Sequence, residues 1–246
     1  MRRTILKIGY FLIPLVCSAA FAAFQTRDLG LKLGNYSSGK RNQITDVKGV
    51  TIGHVTLNAG AGKLQVGKGP IRTGVTVVMP GSADPWSKKV IAASSVLNGN
   101  GEAMGKLWVD ESGVLESPIV LTNTLSVAAA QLGVIEWNRK LHPEMDAWMP
   151  VVLECDDSSL NDIGGFHVKS GDIQKAIESG SDSFEEGSVG AGTGMISFDF
   201  KSGIGSASRI IPLALNGKEK RFTVAGLGSE DHQPATPVSV NLKFEC

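Results

Sequence analysis

The chain has 246 residues, with 24 Lys and Arg balanced by 24 Asp and Glu, four histidines and three cysteines. The charge balance, without a basic block or a stacked aromatic pattern, speaks against a nucleic-acid partner. Histidines without paired ligand spacing, and no His-Glu-x-x-His, predict no metal site, and so few cysteines make no disulfide-dense scaffold.

Residues 1–23 begin Met1-Arg2-Arg3, run largely apolar from Ile5 to Val16, and end in Ser18-Ala19-Ala20-Phe21-Ala22-Ala23. A basic start, a short apolar centre and the A-x-A pattern of Ala20-Phe21-Ala22 predict a signal peptide, and hence an exported, periplasmic or secreted protein. The apolar stretch falls short of the ~20 residues a spanning helix needs, so no stable membrane anchor is expected. Cys17 goes with the discarded segment, and Cys155 and Cys246 of the mature chain could pair after export. Residues 24–246 read as a single domain.

Within that domain, Ile44-Thr45, Val50 to Leu57 and Gly74 to Met79 alternate β-branched and small residues around glycines and read as strands and hairpins. His54, placed near a strand end, reads as a structural histidine. Val90 to Leu97 reads as a further strand, broken by two Asn-Gly pairs in Leu97-Asn98-Gly99-Asn100-Gly101-Glu102. These are turn signals that need no function, and Asp110 and Glu111 read as a solvated acidic pair. Leu121-Thr122-Asn123-Thr124 ends a strand, and Ser126 to Lys140 has helical spacing with Val127, Ala130, Val134 and Trp137 on one face, stopped by Pro143. Thr124 or Ser126 fits the helix cap. Val151 to Glu154 reads as a buried strand and Cys155 to Ser159 as a polar loop. Leu160-Asn161-Asp162-Ile163-Gly164-Gly165 is ordinary turn chemistry, yet a fixed Asn amide is also what stabilises the oxyanion of acyl transfer, worth about 2.7–4 kcal/mol. His167 reads as structural.

Asp172 to Ser179 reads as a short helix, and Gly180 to Glu186 as an exposed, flexible linker. Then Glu185-Glu186-Gly187-Ser188-Val189-Gly190-Ala191-Gly192-Thr193-Gly194-Met195 concentrates glycines in a way that makes neither helix nor strand. A ligand or a second backbone must approach it closely. A phosphate loop would close on Gly-Lys-Ser/Thr and a dinucleotide loop would open a helix, whereas here no Lys follows and Met195 to Phe200 alternates like a strand. By spacing alone, a plain glycine-rich turn stays open. Strands through Ile211 and from Arg221 to Leu227, with a charged turn at Asn216 to Lys220, complete the readable chain.

Gly187 to Met195, followed by Gly203-Ile204-Gly205-Ser206-Ala207-Ser208-Arg209, resembles the self-processing site of the D-aminopeptidase/esterase and β-peptidyl aminopeptidase family. Asp46-Val47-Lys48-Gly49-Val50-Thr51-Ile52-Gly53-His54, Arg72-Thr73-Gly74-Val75-Thr76, Leu97 to Glu102, Leu121 to Thr124 and Leu160 to Val168 are similar to that family's motifs in the same order, from about residue 34 to 227. The resemblance implies an α/β fold, a four-layer α-β-β-α sandwich, and a precursor that cuts itself between Gly187 and Ser188. Residues 24–187 would form the first chain and 188–246 a shortened second chain. The implied activity is a serine aminopeptidase or amidase acting on short peptides, amino-acid amides or esters, without a cofactor, in a homo-oligomer. Ser188 becomes nucleophile and new N-terminus, Asn161 the oxyanion donor, and Glu102 with Asn100 the anchor for the substrate amine. The family also carries a serine and a glutamate in its second chain that assist the nucleophile, for which Ser229 and Glu230 are the candidates, although the match fades after Leu227. An inactive, shortened scaffold is the competing reading.

Physical chemistry fits the cleavage. A serine hydroxyl needs a base to attack, and an α-amine titrates at roughly 7.7–8.0 against ~10.4 for lysine, so a new N-terminus brings a partly neutral base to its own hydroxyl.

Overall fold

The computed structural model describes residue 30, residues 33–96 and 99–229, and the backbone of 230 and 237–245. The segment 1–23 read as a signal peptide lies outside the described residues, as does Cys246.

Two long strands start the domain, β1 (Thr51–Ala59) and β2 (Ile71–Met79), paired antiparallel from Thr51 opposite Met79 to Ala59 opposite Ile71. Ile44-Thr45, expected as strand, lies instead in a 3-10 turn, Ile44–Asp46, ahead of β1. The Val90 to Leu97 run yields only β3 (Val90–Ile91), which pairs with a later short strand; Ala92 to Val96 lie outside any ladder. β4 (Ala103–Met104) follows the Asn-Gly turns. The segment read as a solvated acidic pair is a helix, α1 (Lys106–Ser112), with Gly105 and Gly113 left-handed at its two ends. β5 (Val114–Leu115) closes on β3.

β6 (Ile119–Asn123) and α2 (Val127–Leu141) fall where the pattern predicts. Ser126 occupies the N-cap position without a capping bond, its buried hydroxyl unpartnered, and the Thr124 hydroxyl donates to Glu154 instead. β7 (Val151–Cys155) runs parallel to β6, and α3 (Ser170–Glu178) follows the polar turn.

The first sheet has the order β1-β2-β6-β7-β4. Its strands alternate cleanly between two cores, as a sheet covered on both faces must. Val75, Val77, Val120 and Val152 point to the helices and meet Ala130 and Val134 of α2 and Ile173 and Ala176 of α3. Val78, Ile119, Leu121 and Val151 point the other way and meet Ile204, Ala225 and Leu227 of a second sheet.

That second sheet has the order β10 (Ile204–Leu215), β11 (Lys218–Glu230), β12 (Pro237–Glu245). Before it, Met195 to Phe200, expected as one strand, folds back on itself. β8 (Ile196–Ser197) pairs with β9 (Phe200–Lys201) around Phe198 and Asp199, both at positive φ. β10 and β11 form a long hairpin, joined by β12. The fold is mixed α/β, and the described residues build it as helices, five-stranded sheet, then second sheet.

Candidate active site

The glycine loop between α3 and β8 is laid across β1 and β2. Gly190 donates its N–H to Thr56 Oγ1 at 2.8 Å and Ala191 donates to Thr76 Oγ1 at 3.0 Å. A Cβ on Gly194 would fall 2.1 Å from the Arg72 carbonyl oxygen and 2.9 Å from Asp157 Cβ. The close approach inferred from the glycines is therefore made by the chain's own strands. Lys201 adds a bond to the loop from below, its ammonium donating to the Gly192 carbonyl at 3.2 Å, and burial lowers its pKa.

On the other side of Ser188 the chain is also held. Ser181 and Ile52 exchange backbone bonds at 2.9 and 3.0 Å, and Phe184 packs against the core between the sheets. The expected flexible linker is thus tied at Ser181 and Phe184, with Asp182, Ser183 and Glu185 exposed along it. His54 connects the two flanks. It stands within β1, not at a strand end, with Nδ1 2.9 Å from Thr76 Oγ1 and Nε2 3.2 Å from the Glu185 carbonyl. Burial depresses its pKa to about 4, only partly offset by the Glu185 carbonyl, so at neutral pH the ring is uncharged. A neutral ring that donates from Nε2 to Glu185 accepts at Nδ1 from the Thr76 hydroxyl, which in turn accepts from Ala191.

Between those anchors Ser188 is exposed. Gly187 before it sits at φ +94°, a conformation open to glycine. It exchanges backbone bonds with Ile204, Gly187 N–H to Ile204 O at 2.7 Å and Ile204 N–H to Gly187 O at 2.8 Å.

Asn161 is buried in the turn that follows β7. Its Nδ2 donates to Asp157 Oδ1 at 2.9 Å and its Oδ1 accepts from the Arg72 N–H at 3.0 Å, which settles the orientation of the amide. Asp157 was not singled out by sequence. It is fully buried, and desolvation pushes its pKa up to about 6 against the pull of the Asn161 amide and the neighbouring Thr73 and Asn123 side chains. Its Oδ2 and the nearby Asn123 Oδ1 lack partners. Because Gly194 lies against both Arg72 and Asp157, the groups that hold Asn161 also floor the Ser188 loop. His167 binds Asp162 Oδ2 at 2.9 Å, and the same oxygen accepts from Gly69 N–H at 3.0 Å, the structural role expected of that histidine.

Glu102 and Asn100 are exposed on the turn before β4. The Glu102 N–H donates to Glu154 Oε1 at 3.1 Å, and its own Oε1 accepts from the Ala103 N–H at 3.1 Å. Glu154, on β7 and also bonded to Thr124, is a second carboxylate at this turn. Sequence offered no signal for it beyond strand periodicity. Ser229 is buried near the end of β11 opposite Ile204, its hydroxyl unpartnered and its carbonyl 3.7 Å from the Cys155 thiol. The row Gly187, Ile204, Ser229 therefore crosses neighbouring strands. Glu230 ends β11, paired through its backbone with Pro237. Among the described residues no group of His, Cys, Asp and Glu forms a metal-binding cluster.

Residues 42–239 match the model of peptidase family S58. The chain belongs to that family. The match runs past Leu227, where the motif resemblance fades, into β12. The chain is 42% identical over 190 residues to the beta-peptidyl aminopeptidase BapA of Sphingosinicella microcystinivorans, covering 77% of this chain and 48% of that protein. It is 36% identical over 225 residues to the protein of the same name from Sphingosinicella xenopeptidilytica, covering 90% and 54%. It thus spans about half the length of these S58 relatives. Among solved structures, a protein from Pyrococcus horikoshii OT3 superposes with TM-score 0.81 at 46% identity, over 85% of this chain and 60% of that one. The l-aminopeptidase d-Ala-esterase/amidase of Ochrobactrum anthropi, described as a prototype serine aminopeptidase and a variant of the Ntn hydrolase fold, superposes at 0.74 with 36% identity, over 84% and 57%.

Proposed function

We propose that this S58 chain is a self-processing serine aminopeptidase or amidase that releases N-terminal residues from short peptides, amino-acid amides or esters. The observation that carries the reading is the placement of Ser188. It is exposed on a loop anchored on both sides, directly after a glycine at φ +94°. Cleavage at Gly187–Ser188 gives that serine an α-amine, a base already tethered to the nucleophile. Family membership and relatives named as aminopeptidases support the same chemistry.

In this reading Ser188 Oγ attacks the substrate carbonyl and Asn161 donates its remaining N–H to the oxyanion. The Asp157 and Arg72 contacts hold that amide in place before substrate arrives, which is how such a donor favours the transition state over the ground state. Glu102, exposed on its turn with Asn100 and beside Glu154, binds the substrate ammonium. Residues 1–23 direct export to the periplasm or the medium, and the mature chain assembles as a homo-oligomer. Ser229 and Glu230, at the end of the row that starts at Gly187, are candidates to assist the nucleophile.

Hydrolysis of β- and α-amino-acid amides, with N-acetylated counterparts as controls, tests this. Free amines are released from the unblocked amides alone, and Glu102→Gln raises KM about tenfold, a loss of roughly 1.4 kcal/mol of binding. Equal turnover of the acetylated substrates would refute the aminopeptidase assignment.

A further inference from the structure

The carbonyl oxygen of Gly187 receives two backbone hydrogen bonds. Ile204 N–H donates to it at 2.8 Å across the sheet-like bridge, and Val189 N–H donates to it at 2.8 Å around a tight turn centred on Ser188. Gly187 N–H is itself tied to Ile204 O at 2.7 Å, so the peptide plane is fixed at both ends. Ile204 can come this near because residue 203 is glycine. A Cβ there would lie 2.1 Å from the Gly187 oxygen and 2.3 Å from its carbonyl carbon.

We propose that the N–H groups of Val189 and Ile204 are the oxyanion site for cleavage of the Gly187–Ser188 bond, with Gly203 the residue that lets them reach it. The inference rests on the self-processing reading and adds to it the groups that stabilise the charge. Ser188 Oγ adds to the Gly187 carbonyl carbon while its proton passes to solvent water, and the carbonyl oxygen takes the negative charge. The C–N bond then breaks, Ser188 N takes up a proton to become the free amine, and Gly187 is left as an ester on Ser188 Oγ. Water adds to that ester, the C–O bond breaks, and the products are the Gly187 carboxylate, the restored Ser188 hydroxyl and one proton.

Both donors touch the neutral carbonyl already, and each bond strengthens about twofold when its acceptor becomes an anion. The gain therefore falls on the transition state. They are backbone groups of a sheet and a turn, so no side chain has to be ordered for the step. Asn161, whose Oδ1 is held by Arg72 and whose Nδ2 is held by Asp157, is left for substrate turnover.

The test follows cleavage of the full chain during cell-free synthesis, with samples quenched in denaturant and weighed intact. In one variant the Ile204 residue is replaced by its α-hydroxy acid, an ester linkage that puts an oxygen in place of the N–H and keeps the side chain; others are Gly203→Ala, Ile204→Val and Gly205→Ala. A Cβ at Gly205 meets nothing within 4 Å. The ester variant should cleave about 10²–10³-fold slower, the loss expected for one oxyanion donor. Gly203→Ala should slow likewise, while Ile204→Val and Gly205→Ala keep the parent rate. Parent-rate cleavage by the ester variant, in a chain that does split before Ser188, overturns this inference alone, whatever Gly203→Ala does. A parent chain that never splits overturns both this inference and the self-processing reading.

Discussion

Asn161 Nδ2 donates to Asp157 Oδ1 at 2.9 Å while Asn161 Oδ1 accepts from Arg72 N–H at 3.0 Å, so an amide at the candidate oxyanion site is locked by a carboxylate from four residues earlier and a strand from far away. In the proposed mechanism Asp157 is a positioning residue. Asp157→Ala should lower kcat about 10²-fold with KM little changed, as a misplacement of about 1 Å can, whereas Asp157→Asn, which keeps the accepting oxygen, should recover most of the loss. Steady-state kinetics on one amide substrate separates these, and a KM effect without a kcat effect would contradict the assignment.

Asp157, fully buried, and His54, half-buried, pull stability in opposite directions with pH. Desolvation raises Asp157 to about 6, so the folded protein holds a proton that the unfolded chain releases near 3.8, and stability from this group falls as pH rises between about 4 and 6. Desolvation lowers His54 to about 4, so the unfolded chain binds a proton first, and stability from this group falls as pH drops from 6.5 towards 4. Each contribution is on the order of 3 kcal/mol, and over the shared window they largely cancel. Asp157→Asn should leave a protein that gains stability from pH 4 to 6.5, and His54→Gln one that loses it from pH 4 to 6. Urea unfolding across that range checks both slopes, and two parallel profiles would contradict the account.

Thr76 joins the two flanks of the Ser188 loop, accepting from Ala191 N–H at 3.0 Å and contacting His54 Nδ1 at 2.9 Å. It is fully buried. Thr76→Val removes both partners at nearly constant volume and should cost about 1–3 kcal/mol of stability, together with slower self-cleavage because the chain after Ser188 loses an anchor. Denaturation and a cleavage time course on the same preparation measure the two effects, and unchanged cleavage would mean that the clamp does not position the loop.

Much of this was legible in sequence where local pattern and tertiary role agree. β2 and β7 read as strands because β-branched runs between turn signals bury both faces, and α2 read as a helix because its apolar spacing matches the face on the sheet. The failures have local reasons. Val90 to Leu97 is apolar enough for a strand, but among the described residues of that run only Val90 and Ile91 enter a ladder. α1 is short and its stops are the glycines at each end, so its charged residues looked like loop. Met195 to Phe200 alternates like a strand, yet Phe198 and Asp199 take positive φ, which non-glycine residues seldom adopt and no periodicity signals. At the site, Ser188, Asn161 and Glu102 stood out through motif resemblance, while Asp157, Thr76, Glu154 and Ser181 did not. Their roles come from partners far along the chain, Thr73 and Asn123 for Asp157, His54 and Ala191 for Thr76, Glu102 and Thr124 for Glu154, Ile52 for Ser181, and such pairings exist only in the folded protein.

The most direct test of the central claim is the intact mass of the purified protein beside its Ser188→Ala variant. The parent is expected to separate under denaturation into two chains, the second beginning at Ser188, while the variant stays whole. A folded parent that remains one chain, or a variant that splits at the same bond, would contradict it.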